Sequence, residues 1–297
     1  MAHISALREG ATLALIAPAG PPRPKRLEQV PELLASMGFK TQFMPGVSAG
    51  STLDFLSADD DARLADLHAA FADPEVDAVY ALRGGYGCAR LLDRIDTKLL
   101  RKHPKPLIGY SDITTLHALL DGMGLPAWHA PMPTSDLLAP GGGRDVEAVR
   151  EALQRGTNAS DVIAPEMDEH ALNCGVSARG RLVGGNLAVY AALLGTPWQP
   201  KIDGAILFIE DVGEAPYRVD RMLAQLRLAG LLDAAAGFLV GSFTDEDFPQ
   251  AVLTDYLHAT GKPVLAGWPS GHCSPHVPLP MGVKVVMDVA RRQLTLV

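Results

Sequence analysis

The first half of the chain alternates short apolar runs with stretches of helical periodicity, and few architectures accept that pattern. TLALIAP, from Thr12, reads as a strand, and Pro24 to Met37 as a helix with apolar residues three and four apart. Lys40 to Met44 reads as a second strand, and Asp59 to Ala72 as a helix with Ser57 as its N-cap. A short buried strand, Ala78 to Leu82, is broken at once by RGGYG. Arg90 to Leu99 then reads as helix, Pro106 to Gly109 as strand and Ile113 to Met123 as helix. Such alternation predicts a parallel sheet covered by helices, with ligands at the carboxyl ends of its strands. RGGYG and GYSD both fall at that edge.

The texture changes after Pro131 to Gly143 (PMPTSDLLAPGGG), which reads as a linker or long loop, and one further helix, Val146 to Gln154. From Ala178 onward come short strands with Gly turns (ARGRLVGG, GAILFIED, GFLVGSF, VKVVMDV, QLTLV), with helices at Asn186 to Leu194 and Tyr217 to Leu228. The expected division is a first α/β domain of residues 1–160, with 131–160 as linker region, and a mixed second domain of 161–297. With 297 residues and 47% apolar content, each has enough material for a core.

Charge and cysteine content exclude several function classes. Lys and Arg number 26 against 34 Asp and Glu, a net −8, so no broad basic surface for nucleic acid is expected. Cys88, Cys174 and Cys273 form no CxxC pair, which excludes a zinc ribbon or a disulfide framework. Leu182 to Pro200 carries no formal charge but is too interrupted by Gly, Pro and Asn to span a membrane. The expectation is a soluble, cytoplasmic chain.

Four segments carry residue types suited to chemistry. In LIGYSDITTLHALL, Ser111 falls where a strand meets a helix, and the backbone N–H of Asp112 lies near a helix N-terminus. That arrangement resembles a nucleophile elbow without its G-x-S-x-G pattern, and Ser111 as a plain N-cap is the alternative. In ALRGGYGCAR, the paired glycines let backbone approach a ligand and aim N–H groups at an oxyanion, or simply make a tight turn. No dinucleotide fingerprint is present there. In LFIEDVGEAPYRVDRML, Glu210 ends an apolar run, a good place from which to orient a histidine, although a solvated acidic turn fits as well. In GWPSGHCSPHVPLPMG, His272 and His276 offer a base near neutrality. The prolines argue against a helical metal pair, and Cys273 has no evident base of its own.

Taken together, Ser111, Glu210 and His272 supply nucleophile, acid and base in that chain order. The segments IAPAG, ALRGGYGCARLL, GYSDITTLHALL, GGNLAVYAALLGTPWQP, FIEDVGEAPYRVDRML, GSF and GHCSPHVPLPMG resemble, in order and over nearly the whole chain, the LD-carboxypeptidase family. These are serine peptidases with a Ser-Glu-His triad. The resemblance implies Ser111 as nucleophile, Glu210 as orienting acid and His272 as general base, whereas the motif does not require His276, whose removal is expected to be nearly neutral. It implies an N-terminal flavodoxin- or amidotransferase-like domain and a C-terminal swivelling β/β/α domain. It further implies a homodimer, no metal and no cofactor. The implied substrate is a murein tetrapeptide that loses its terminal D-Ala by cleavage of an L,D-bond during cytoplasmic cell-wall recycling.

On that reading, the backbone N–H groups of Asp112 and Gly85 face the oxyanion, and Arg83 meets the substrate carboxylate. Two other readings compete. Microcin C self-immunity peptidases use the same scaffold on an aminoacyl-sulfamoyl adenylate, but Pro131 to Asn186 holds no Trp, Tyr or Phe to stack an adenine. A nonenzymatic sugar-phosphate or nucleotide-binding module would use RGGYG and leave Glu210 and His272 unexplained.

Overall fold

The computed structural model describes residues 2–297, and its strands gather into two sheets. In chain order they are β1 (Thr12–Ile16), β2 (Lys40–Phe43), β3 (Ala78–Ala81), β4 (Leu107–Gly109), β5 (Ala127–His129), β6 (Val162–Ile163) and β7 (Ser177–Asn186). They continue with β8 (Ile206–Val212), β9 (Gly237–Thr244), β10 (Val264–Ala266), β11 (Leu279–Met281), β12 (Lys284–Asp288) and β13 (Gln293–Leu296). The first sheet runs β11-β5-β4-β3-β1-β2 and the second β10-β9-β8-β7-β12-β13-β6.

Strands β1 to β5 are mutually parallel, as the helical crossovers between them require. Strands β3, β4 and β5 are buried along their whole length, which explains why they read as apolar runs without alternation. In the second sheet β7, β8, β9 and β10 are parallel, and β7, β12, β13 and β6 continue antiparallel. The chain is a two-domain, mixed α/β protein. Its halves are interlocked, because β11 returns from the C-terminal region to pair antiparallel with β5, Leu279 opposite His129.

Several sequence expectations shift. The helix expected over Pro24 to Met37 is two short ones, Pro24–Leu27 and Val30–Ser36. Pro31 has no N–H to continue a helix and tolerates only a first turn, so a new helix begins there. Ser57 does not cap the next helix. That helix spans Asp60–Ala72 with Asp59 at the N-cap, while the Ser57 hydroxyl donates to the Ala17 carbonyl. The helix expected over Arg90 to Leu99 splits into a 3₁₀ segment, Cys88–Arg94, and a helix, Thr97–Lys102, capped by the Asp96 carboxylate. The segment after Pro131 is no free linker. Pro133–Leu137 forms a wide helical turn with Thr134 and Leu137 buried, and a helix follows over Gly143–Arg155.

Candidate active site

Ser111 follows β4 after one residue, Tyr110, and stands at the carboxyl edge of the first sheet. Its φ is +63°, a left-handed conformation that costs a non-glycine residue about 1–3 kcal/mol and is kept where the surroundings enforce it. A helix, Thr114–Gly122, follows. The N-cap alternative for Ser111 fails, because no side chain caps this turn and the Ser111 hydroxyl points elsewhere.

It points at His272. The Ser111 Oγ to His272 Nε2 distance is 3.2 Å, and His272 Nδ1 lies 2.8 Å from Glu210 Oε2. Glu210 sits near the end of β8, fully buried, and its Oε2 also accepts the backbone N–H of His272 at 3.2 Å. Gly271 makes that approach possible, since a Cβ there would lie 2.5 Å from Glu210 Oε2 and the residue has φ +113°. The loop bearing His272 is anchored to β9: Thr244 Oγ1 donates to the His272 carbonyl, and Ser242 N–H to that of Ser270. The GSF segment therefore serves to hold the histidine loop.

Burial on its own would push the His272 imidazole down, but the charge and hydrogen bond of Glu210 outweigh it and hold the group above the ordinary histidine value. Asp211, the other carboxylate in the pair, faces away from His272. It accepts from Asn186 Nδ2 and from the backbone N–H groups of Ala188 and Val212, and burial raises it to about 6. Its work is to tie β8 to β7. The two domains meet here as well, where the Asn186 N–H donates to Thr114 Oγ1 at 3.0 Å.

The Gly84–Gly85 turn lies against Ser111. A Cβ added to Gly84 would sit 2.7 Å from Ser111 Cβ, 2.9 Å from its Oγ and 3.4 Å from the Asp112 nitrogen, so only glycine fits. The Asp112 side chain is buried and accepts the Cys88 N–H at 2.8 Å, which fastens the glycine turn to the Ser111 turn. Arg83 is half-buried at the same turn, with Nη1 donating to the Pro21 carbonyl. Burial and the neighbouring Arg23 charge both lower its pKa.

A cavity of about 340 Å³ opens beside His272, lined in part by Tyr110, Asp136, Asp145, Asp245 and Cys273. Asp136 accepts from the Tyr110 hydroxyl, Ser135 Oγ and the Met132 N–H, and burial raises its pKa. The Cys273 thiol is pushed by burial up to about 11, so it is almost wholly protonated at neutral pH.

Sequence reasoning missed Tyr110, His129 and Asp136. The Tyr110 ring packs against His272 at a 59° tilt, 4.9 Å between ring centroids. His129 ends β5 within the short segment AWHA, a strand-end position that marks it in retrospect. His276 also departs from expectation. It is buried rather than exposed on a loop, its N–H bonded to Asp145 Oδ1 and its Nε2 3.2 Å from His129 Nδ1. Removing its imidazole should therefore leave a cavity and an unpartnered His129 Nδ1. Among the described residues no group of three or more His, Cys, Asp or Glu could hold a metal ion, and no helix is long and apolar enough to cross a membrane.

Two family models match, the LD-carboxypeptidase N-terminal domain over residues 13–130 and the LD-carboxypeptidase C-terminal domain over 179–287. A probable murein peptide carboxypeptidase of Bacillus subtilis (strain 168) is 39% identical over 97% of this chain and 92% of its own length. The crystal structure of muramoyltetrapeptide carboxypeptidase from Oxalobacter formigenes superposes with a TM-score of 0.85 at 30% identity, covering 96% of this chain and 98% of that one. The microcin C7 self-immunity protein of Escherichia coli is 26% identical over 89% of this chain and 86% of its own length. The chain belongs to the LD-carboxypeptidase family and is a serine-type carboxypeptidase.

Proposed function

We propose that this enzyme hydrolyses the L,D-peptide bond of murein tetrapeptides and releases the terminal D-Ala. Ser111 is the nucleophile, His272 the general base and Glu210 the orienting acid. The observation that carries the reading is the unbroken line from Ser111 Oγ to His272 Nε2 and from His272 Nδ1 to Glu210 Oε2. Residues 1–160 contribute the nucleophile, and residues 161–297 the other two groups.

In the reaction, His272 Nε2 takes the Ser111 proton as Oγ attacks the carbonyl carbon that precedes D-Ala. Glu210 accepts the Nδ1 proton, which fixes the productive tautomer and stabilises the imidazolium. The oxyanion meets the backbone N–H groups of Asp112 and Gly85, and the closeness of Gly84 to both Ser111 and the Asp112 nitrogen supports that assignment. The imidazolium then protonates the departing D-Ala amine, and water activated by the same histidine releases the acyl group. Arg83 receives the D-Ala carboxylate. An anion there would relieve the like-charge proximity of Arg23 and Arg83. The acidic wall of the neighbouring cavity suits the amino group carried by the third peptide residue, whether diaminopimelate or lysine.

The family resemblance extends this reading to a homodimer acting in cytoplasmic cell-wall recycling. The test is selectivity. Tetrapeptides with an L,D- and with an L,L-terminal bond, and an aminoacyl-sulfamoyl adenylate, are each offered to the enzyme. Cleavage confined to the L,D-peptide is expected. Preference for the adenylate would instead place the chain with the microcin self-immunity peptidases.

A further inference from the structure

Behind the line from Ser111 to Glu210 lies a second pair of imidazoles that the reaction above does not use. His129 ends β5 and is wholly buried, with Nδ1 3.2 Å from His276 Nε2. Its other nitrogen, Nε2, lies 4.0 Å from Glu210 Oε1. Both facing atoms are buried, and neither has any other hydrogen-bond partner. A dry carboxylate oxygen without a donor is costly, so two such atoms facing one another are complementary.

The surroundings hold this geometry. The Tyr110 ring packs on His129, His272 and His276, with centroids 5.4, 4.9 and 4.8 Å away. Phe208, from the same strand as Glu210, meets His129 edge-on at 5.0 Å, and His117 lies 6.4 Å from it. Only one tautomer of the pair suits the carboxylate. If His129 Nδ1–H donated to His276, a lone pair on Nε2 would face Glu210, and His276 Nδ1–H would be a buried donor without an acceptor. If His276 Nε2–H donates to His129 Nδ1, His129 turns an N–H toward Glu210 and leaves only an unfilled acceptor on His276.

We propose that His129, oriented by His276, is a positioning residue of the active site: its Nε2–H bonds Glu210 Oε1 and so presents Oε2 squarely to His272. The proposal rests on the triad reading given above. The two atoms stand 4.0 Å apart, so the bond forms when the side chains turn to bring them within hydrogen-bond distance.

The experiment compares His129→Met, which has no donor, with His129→Gln, whose amide nitrogen reaches the position of Nε2. D-Ala release and thermal unfolding are measured for both, with Ser111→Ala alongside. The Met variant is expected to lose kcat on the order of tenfold or more with KM nearly unchanged, because His129 does not touch substrate. The Gln variant should recover most of the loss. Without turnover, NMR titration should show His272 raised further in the Met variant, where Glu210 no longer shares its charge, and near wild type in the Gln variant. Met and Gln variants that behave alike would overturn the proposal. Should the Met variant fail to fold, His276→Met against His276→Gln makes the same comparison one bond further back. Activity retained in Ser111→Ala would bring down the triad reading itself, whereas an inactive Ser111→Ala with equal Met and Gln variants removes only the role of His129.

Discussion

Ser111 Oγ and His272 Nε2 lie 3.2 Å apart across 161 residues of chain, one on each side of the junction between the two sheets. Nothing local to either residue produces that contact. It depends on β11 returning to β5, on the Asn186 N–H held by Thr114, and on Thr244 anchoring the histidine loop. The candidate site is thus a property of how the two sheets dock.

Gly84 tests the close approach on which the oxyanion assignment depends. Gly84→Ala puts a methyl group 2.7 Å from Ser111 Cβ, and backbone must move to admit it. Stability should fall by about 1–3 kcal/mol, the usual range for overpacking. Turnover should fall on the order of 10²-fold or more, as when an oxyanion donor is lost. Thermal unfolding and D-Ala release measure the two effects separately.

The pH profile follows from the raised His272 pKa. A general base must be neutral, so kcat/KM should drop on the acid side with a midpoint above the ordinary value of about 6.5. Glu210→Gln leaves the burial and removes the opposing charge, so any residual activity should show a lower midpoint. Its turnover should be reduced on the order of 10⁴-fold, the scale of a misoriented imidazole. For stability the sign is that of a raised base: the His272–Glu210 contribution is fully present below about 6.5 and is lost as pH rises through the folded-state pKa.

His117 predicts the opposite acid behaviour. Burial lowers it to about 3, and neither ring nitrogen has a partner. The fold is stabilised by its neutral form above the unfolded value of about 6.5, and that stability is lost as pH falls toward 3. His117→Leu removes two unpaired polar atoms. It should stabilise the protein by about 1–3 kcal/mol at neutral pH and flatten the acid loss in a series of melting curves.

Cys273 adjoins His272 and lines the same cavity, yet its thiol is held protonated at about 11. Cys273→Ser should therefore keep turnover within about threefold of wild type, since the thiolate needed for nucleophilic attack is scarce. Slow alkylation of the native thiol at pH 7 checks the same point.

Much of this was legible in the residues, for identifiable reasons. Parallel strands buried on both faces leave continuous apolar runs, so β1, β3, β4, β8 and β9 stood out. Ser111, Glu210 and His272 stood out because each follows or ends such a run, or lies between glycine and proline turns. The three-residue strands β5, β10 and β11 went unread, whereas β4, equally short, was marked by the PLIG run leading into GYSD. His129 and His276 escaped because their environment is tertiary: a loop histidine in the sequence became a buried one when β11 closed onto β5. Ser57 looked like a cap and instead bonds the Ala17 carbonyl, a partner that the local sequence does not reveal.

The most direct test of the account is mass-spectrometric detection of free D-Ala after purified enzyme meets a murein tetrapeptide, with Ser111→Ala as the paired variant. Release by the wild type that disappears in a folded Ser111→Ala protein is the predicted result. Release that persists in the variant would contradict Ser111 as the nucleophile.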